Sequence, residues 1–134
     1  MIRKAVEKDI NNILKLLSEV LELHAKIRPD IFLSGTTKYN RSNLLDLLKD
    51  EKTLIYVYVN DLDEVVAHIF CTIRDNKSNN MKNIRTLYID DLCVFESERG
   101  NHIGKELFDY AINKAKELGC HNVTLNVWNG NEVR

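Results

Sequence analysis

The segment best suited to chemistry is a glycine-containing loop between a predicted strand and a predicted helix. It reads Arg99-Gly100-Asn101-His102-Ile103-Gly104-Lys105. The N-terminus of a helix presents unpaired backbone N–H groups and a partial positive charge, which together suit a phosphate group. Arg99 and Lys105 add full positive charges on either side. The segment therefore predicts a phosphate-binding loop, although an ordinary strand-to-helix connection has the same spacing.

Two familiar nucleotide-binding loops do not match this segment. A Walker loop has four residues between its glycines and a serine or threonine after its lysine. Here three residues separate Gly100 from Gly104, and Glu106 follows Lys105. The dinucleotide-binding pattern G-x-G-x-x-G is absent as well. Neither class of nucleotide-binding protein is therefore predicted.

The elements that must position this loop follow from the spacing of the apolar residues. Strands are predicted at residues 2–6, 53–60, 64–74, 84–94 and 123–127, and helices at 9–25, 42–50 and 101–118. Gly119 supplies a left-handed stop for the last helix. The strand-helix-strand order of residues 84–127 predicts two parallel neighbouring strands, whereas the strands before it predict an antiparallel run. The fold class is therefore α/β with a mixed sheet.

Composition confines the function to a local site. The chain has 134 residues, of which 19 are Lys or Arg and 20 are Asp or Glu, giving a net charge of −1. This size predicts a single domain, residues 1–134, and the balance of charge gives no support for nucleic-acid or membrane binding. Cys71, Cys93 and Cys120 form no C-x-x-C pair, and no Cys/His spacing indicates a metal site. They are interpreted as reduced thiols of a cytoplasmic protein.

The loop and its flanks resemble the GNAT superfamily of acyl-CoA-dependent N-acyltransferases. The family's loop motif is Gln or Arg, two residues, Gly, one residue, then Gly or Ala. Residues 99–104 match it except that His102 replaces the usual glycine. Residues 91–94 are similar to the family's preceding strand, and residues 125–132 to its next strand and the asparagine that follows, Asn131. The resemblance implies the three-layer α-β-α GNAT fold.

The resemblance also implies acetyl-CoA as co-substrate. Its pantetheine arm would lie between residues 92–94 and 125–127, against the main chain of Leu92, Cys93 and Val94, with Asn131 reaching toward it. The diphosphate would rest on the loop, where the implied binding residues are Arg99, Gly100, Asn101, His102, Ile103, Gly104 and Lys105. His102 is expected to have a negative φ in the first turn of the helix and to leave its amide available.

By this resemblance the activity would be transfer of an acetyl group to a primary amine, on a small molecule or a protein. Such an amine is mostly ammonium at pH 7, with a pKa of ~10.4, so a base or a water must remove a proton. Asp90 and Asp91 are the candidates, and an N–H near Val94 would hold the oxyanion. Because the aspartates are adjacent, only one is expected to line the acceptor cleft. The alternative is that both are solvated or capping carboxylates, and Cys93 is interpreted as a buried structural thiol.

One part of the family pattern is not found in the sequence. The tyrosine that protonates the leaving thiol follows the asparagine matched by Asn131, and the chain ends at Arg134. The last helix and final strands are also expected to be missing, so the domain is expected to be C-terminally incomplete. Its open edge is expected to make it form a homodimer or be poorly soluble. The alternative functions are a non-catalytic acyl-CoA-binding module and an inactive truncated acetyltransferase.

Overall fold

One sheet organises the computed structural model, which describes residues 1–27, 39–76, 84–95 and 102–125. Within these ranges the five strands run in the spatial order β1-β2-β3-β4-β5. The strands are β1 Ile2–Lys4, β2 Thr53–Val59, β3 Val65–Asn76, β4 Ile84–Val94 and β5 Asn122–Leu125. The α-helices are α1 Ile10–Ile27, α2 Arg41–Lys49 and α3 Ile103–Glu117, and a 3-10 turn, Glu7–Asp9, precedes α1.

The sheet is mixed, as the sequence predicts. Strands β1 to β4 are antiparallel neighbours, and β4 pairs with β5 in parallel. The helix α3 connects these parallel strands, which confirms the crossover predicted for residues 84–127. Their pairing runs from Thr86 opposite Asn122 to Ile89 opposite Leu125.

Two apolar cores cover opposite faces of the sheet, which confirms the three-layer arrangement. The α1–α2 core joins the two N-terminal helices to the sheet side chains Ile55, Val57, Phe70 and Cys93. The α3 core joins α3 to the sheet side chains Ile69, Leu87, Ile89, Leu92 and Val94. Helix α3 contributes Ile103, Leu107, Ala111 and Ala115, spaced three or four residues apart and therefore on one helix face.

Polar caps set the ends of two helices. Asn40 accepts a hydrogen bond from the Asn43 amide at 2.8 Å, and Asn43 accepts one from the Asn40 amide at 3.0 Å, which starts α2. At the end of α3, Gly119 has φ +73°. The Gly119 amide bonds to Lys116 and the Cys120 amide to Ala115, the two bonds of a Schellman motif. The predicted left-handed stop is thereby confirmed.

The first strand is anchored by a buried carboxylate just before α1. Asp9 is 2% exposed and accepts two hydrogen bonds from the Arg3 guanidinium, at 2.8 and 2.9 Å. It also accepts the Val6 amide at 2.8 Å. Burial alone would raise the pKa of Asp9, but the bonds from Arg3 and Val6 outweigh it and leave the pKa below its ordinary value.

Candidate active site

Strand β4 carries a one-residue bulge at the predicted acidic pair. Phe70 of β3 lies opposite Asp91, and the next residue, Cys71, lies opposite Ile89, so Asp90 is the extra residue. The bulge reverses the alternation of side chains along β4. Ile89 belongs to the α3 core, and so does Leu92, although a regular strand would turn residues 89 and 92 to opposite faces.

Both aspartates consequently lie on the face of the sheet that carries the α1–α2 core. The Thr72 hydroxyl donates to Asp90 Oδ2, and His68 bonds to Asp91 Oδ2. His68 and Thr72 are four residues apart on β3 and therefore share one face. The premise that adjacent aspartates point to opposite faces is wrong, because the alternation rule fails where a bulge inserts a residue, and the expectation that only one of them lines the acceptor cleft loses its basis.

Asp91 is held by two buried donors. Its Oδ2 lies 2.9 Å from His68 Nε2 and 3.4 Å from Cys93 Sγ. His68 is 0% exposed and Cys93 is 1% exposed. These three side chains are types that can bind a metal ion, and their ligand atoms lie within 4.8 Å of one another. Because His68 and Cys93 both have Asp91 as a hydrogen-bond acceptor, hydrogen bonding accounts for their closeness without a metal. The term carboxylate cluster is used below for the two aspartates and the side chains that bond to them: Asp90, Asp91, His68, Thr72 and Cys93.

Tyr39 lies beside the carboxylate cluster, immediately before the cap of α2. Its ring stacks on Phe70 with centroids 5.2 Å apart. Burial, followed by the negative charges of Asp91 and Asp90, raises the pKa of Tyr39 to about 12. The phenol therefore stays protonated at neutral pH and can donate a hydrogen bond on this face of the sheet.

The sequence pattern pointed to neither His68 nor Tyr39. His68 lies in an apolar strand, where a histidine is read as part of the core, and it meets Asp91 only through the register of β3 against β4. The bulge itself has a sequence signal. Apolar residues fall at positions 87 and 89 and then at 92 and 94, with two aspartates between them, which shifts the period of two by one residue.

The N-terminus of α3 lies against the end of β4. A Cβ built on Gly104 would lie 3.7 Å from Val94 Cγ2, so the first helical turn packs beside the last residue of the strand. The side chain of His102, the N-cap residue, makes no capping hydrogen bond. Among the described residues, then, no side chain caps the amides of this turn, which suits a phosphate ligand.

His102 has φ +60° and ψ +20°, which is the left-handed conformation. The expectation of a negative φ is therefore wrong. His102 precedes the helix as its N-cap instead of lying within the first turn, and the chain enters α3 through a left-handed residue. Glycine adopts this conformation at least cost, which accounts physically for glycine as the usual residue of the loop motif at this position.

The remaining predicted residues fall on both sides of the sheet or outside the described ranges. Leu92, Val94 and Ile103 are buried in the α3 core, and Cys93 is buried in the α1–α2 core. Lys105 is exposed and bonds to Asp109 at 3.0 Å, one helical turn further on. The residues outside the described ranges are Arg99, Gly100, Asn101 and Asn131.

Comparison with known proteins decides the family. The model of the acetyltransferase (GNAT) family matches residues 17–133. The chain belongs to the GNAT acetyltransferase family. No match is found among curated proteins. As a member of this family the chain is an acyltransferase, and the family generally uses acetyl-CoA. In the part of the chain that the structure describes, no helix has the length and apolar character needed to cross a membrane.

Solved structures agree with this assignment. A mutant of the BH1408 protein of Bacillus halodurans is 30% identical, with a TM-score of 0.88 over 98% of this chain and 85% of that chain. An acetyltransferase of Vibrio fischeri is 22% identical, with a TM-score of 0.81 over 96% and 97%. The glucosamine-6-phosphate N-acetyltransferase of Arabidopsis thaliana is 18% identical, with a TM-score of 0.72 over 99% and 85%. At the lower identities the likeness concerns the fold alone.

Proposed function

We propose that this GNAT protein transfers an acetyl group from acetyl-CoA directly to a primary amine on a cationic acceptor. The observation that carries the proposal is the bulge of β4, which puts two carboxylates on one face of the strand that leads to the α3 N-terminus. An acyl donor bound at that terminus and an amine attracted to the carboxylates would meet at the end of β4.

The donor side of the proposed site consists mainly of backbone groups. The amides of His102, Ile103, Gly104 and Lys105 would hold the diphosphate, joined by Arg99, Gly100 and Asn101. The main chain of Leu92, Cys93 and Val94 would bind the pantetheine arm, with Asn131 reaching toward it. An N–H near Val94 would stabilise the oxyanion, an interaction whose removal in other acyl-transfer enzymes costs about 3 kcal/mol.

The acceptor side consists of the carboxylate cluster. Asp90 and Asp91 would attract an ammonium group, and Asp91, directly or through a water, would accept one of its protons. The neutral nitrogen then attacks the thioester carbonyl carbon. The C–N bond forms and the C–S bond breaks, and the proton that the attacking nitrogen then loses passes, directly or through water, to the departing thiolate, which gives CoA and the acetamide. A cationic acceptor is favoured because both carboxylates face it.

Release of free thiol from acetyl-CoA, measured over a panel of amines, tests this proposal. We expect diamines and other cationic amines to be preferred over neutral and anionic ones. D91N should lower kcat/KM by about 10²–10⁴, the usual contribution of a general base. D90N should raise KM for the cationic acceptors. D61N, in the exposed β2–β3 turn, is the matched control and should leave both constants unchanged.

Two outcomes would contradict the proposal. Full activity of the D90N/D91N double variant would exclude the carboxylate cluster from the reaction. Binding of acetyl-CoA by calorimetry without thiol release, for every amine in the panel, would favour the alternative of a non-catalytic acyl-CoA-binding module. The cytoplasmic location and the homodimer stay predictions, which fractionation and light scattering would test.

A further inference from the structure

One member of the carboxylate cluster, a buried histidine next to the proposed base, takes no step in the mechanism above. His68 lies within β3, between Val57 of β2 and Cys93 of β4 in the register, and is 0% exposed. Its Nε2 lies 2.9 Å from Asp91 Oδ2. Its Nδ1 is buried and has no hydrogen-bond partner among the described residues. A polar ring fully buried in an apolar core is costly, so its single polar contact is significant.

The unpartnered Nδ1 selects one tautomer of the ring. A proton on Nδ1 would bury an N–H group without an acceptor and turn the bare lone pair of Nε2 toward a carboxylate oxygen. A proton on Nε2 makes the 2.9 Å contact a hydrogen bond to Asp91. Since buried N–H groups are almost always paired, the Nε2–H tautomer is assigned. His68 is therefore a donor fixed toward Asp91.

We propose that His68 is a positioning residue, which holds the Asp91 carboxylate in the orientation and the charged state that proton removal requires. This inference rests on the proposed function. A hydrogen bond to a carboxylate favours its charged form, and the second donor, Cys93 Sγ, fixes the same oxygen from β4 itself. One oxygen of the proton acceptor is thus held by donors from two paired strands, β3 and β4, instead of by a loop.

The other groups that face Asp91 from the described helices and strands do not replace this donor. Asp90 is a second carboxylate on the same face, so its charge opposes ionisation of Asp91. The Tyr39 phenol is close enough for the charges of Asp91, Asp90 and Cys93 to raise its pKa. Helices α1 and α2 add apolar side chains such as Ile13 and Leu44 on this face. His68 and Cys93 are consequently the donors that the strands supply to offset the like charge.

Three variants separate positioning from packing. H68Q keeps an N–H donor near the place of Nε2, whereas H68L fills a similar volume without a donor. V57A is the matched control, since Val57 is fully buried and lies opposite His68 on β2. Its substitution loosens the same core but leaves the hydrogen bond between His68 and Asp91 in place. Each variant is first compared with the natural chain in urea unfolding, so that the assays are made on folded protein.

The first readout needs no activity. The carboxyl carbon of Asp91, labelled with carbon-13 and followed by NMR during a pH titration, should titrate about one pH unit higher in H68L, because the charged form has lost a donor. H68Q should restore most of that shift, and V57A should show none. An unchanged titration of Asp91 in H68L would overturn the inference, whatever the fate of the proposed function.

The second readout is kinetic. In H68L, kcat/KM should fall about tenfold, and the acidic limb of its pH profile should move upward with the Asp91 titration, while H68Q recovers both. An equal fall in H68L and V57A with an unmoved limb would mean a packing role only and would overturn the inference. If D91N keeps full activity, the proposed base is wrong even where the NMR shift is found, and the catalytic part of the inference falls with it.

Discussion

At the scale of single residues, the left-handed backbone of His102 gives a direct test of the loop. An L-residue in this conformation costs about 1–2 kcal/mol, whereas glycine adopts it freely but loses about 0.5–1 kcal/mol of chain entropy on folding. We therefore expect H102G to raise the free energy of unfolding by up to about 1 kcal/mol in urea. H102N, which tolerates the conformation, should change it by less, and H102V should lower it.

An H102G variant that loses more than about 1 kcal/mol would contradict this account of the loop. The result would mean that the imidazole makes a contact on which the turn depends.

Gly104 allows ligand binding to be separated from folding. An added Cβ would meet only Val94 Cγ2, at 3.7 Å, which is an ordinary contact. In the helix, G104A should therefore gain up to about 1 kcal/mol of stability in urea. G104E should also fold. Its affinity for acetyl-CoA, measured by calorimetry, should fall more than hundredfold, because the added carboxylate would repel the diphosphate and its bulk would crowd it. Equal affinity of G104E and the natural chain would exclude a diphosphate at this helix N-terminus.

At the scale of elements, the Asp9–Arg3 pair anchors β1 to the start of α1. Removing one partner of a buried ion pair costs about 3–5 kcal/mol. D9A should lose up to about that much stability in urea at pH 7, because the Arg3 side chain that it leaves unpaired is 23% exposed. D63N is the matched control, because Asp63 lies in an exposed pair with Lys8 and asparagine tolerates its φ of +59°. A D9A loss no larger than that of D63N would mean that β1 is held by its strand pairing alone.

The same pair predicts an acid dependence. The pKa of Asp9 is lowered in the folded chain, so the folded state binds fewer protons than the unfolded state as pH falls past the ordinary value of about 3.9. Stability from this group is complete above that pH and is lost as pH falls through the lower, folded value. Urea unfolding at pH 7 and pH 3 should therefore differ less in D9N than in the natural chain.

The elements themselves were largely predictable from the sequence. Strand β4 begins and ends at the predicted residues, because its apolar side chains and the turn signals around it are local. The faces of β4 were predicted only in part, since strict alternation was assumed across Asp90. The meeting of His68 with Asp91 depends on the register of two strands and the meeting of Tyr39 with Phe70 on tertiary packing, which local patterns do not determine. The predicted sign of the His102 φ angle was wrong for a different reason. It depended on the residue at which α3 begins, and local patterns leave a helix start uncertain by a residue or two.

At the scale of the whole molecule, buried neutral acids limit stability in alkali. Burial raises the pKa of Cys71 to about 12 from 9.0, and that of Tyr39 to about 12 from 10.0. Between these values the folded state binds more protons than the unfolded state, so stability falls as pH rises. Each group should add about 1.4 kcal/mol per pH unit to the fall.

Urea unfolding at pH 8, 10 and 11 measures this slope. C71A and Y39F should each make it shallower, whatever they do to stability at pH 8. C120A should have a smaller effect, because Cys120 is only half-buried. A slope that neither C71A nor Y39F alters would assign the alkaline loss to other groups.

The bulge in β4 has a consequence for how relatives are aligned. Because Asp90 is an inserted residue, a homologue with a regular strand is one residue shorter between the α3 core residues Ile89 and Leu92. An alignment that puts the one-residue gap in a neighbouring turn pairs residues on the α3 face with residues on the α1–α2 face along half the strand. The gap belongs at position 90. Without it, the alignment would pair Asp91, the proposed base, with apolar core residues of the homologue.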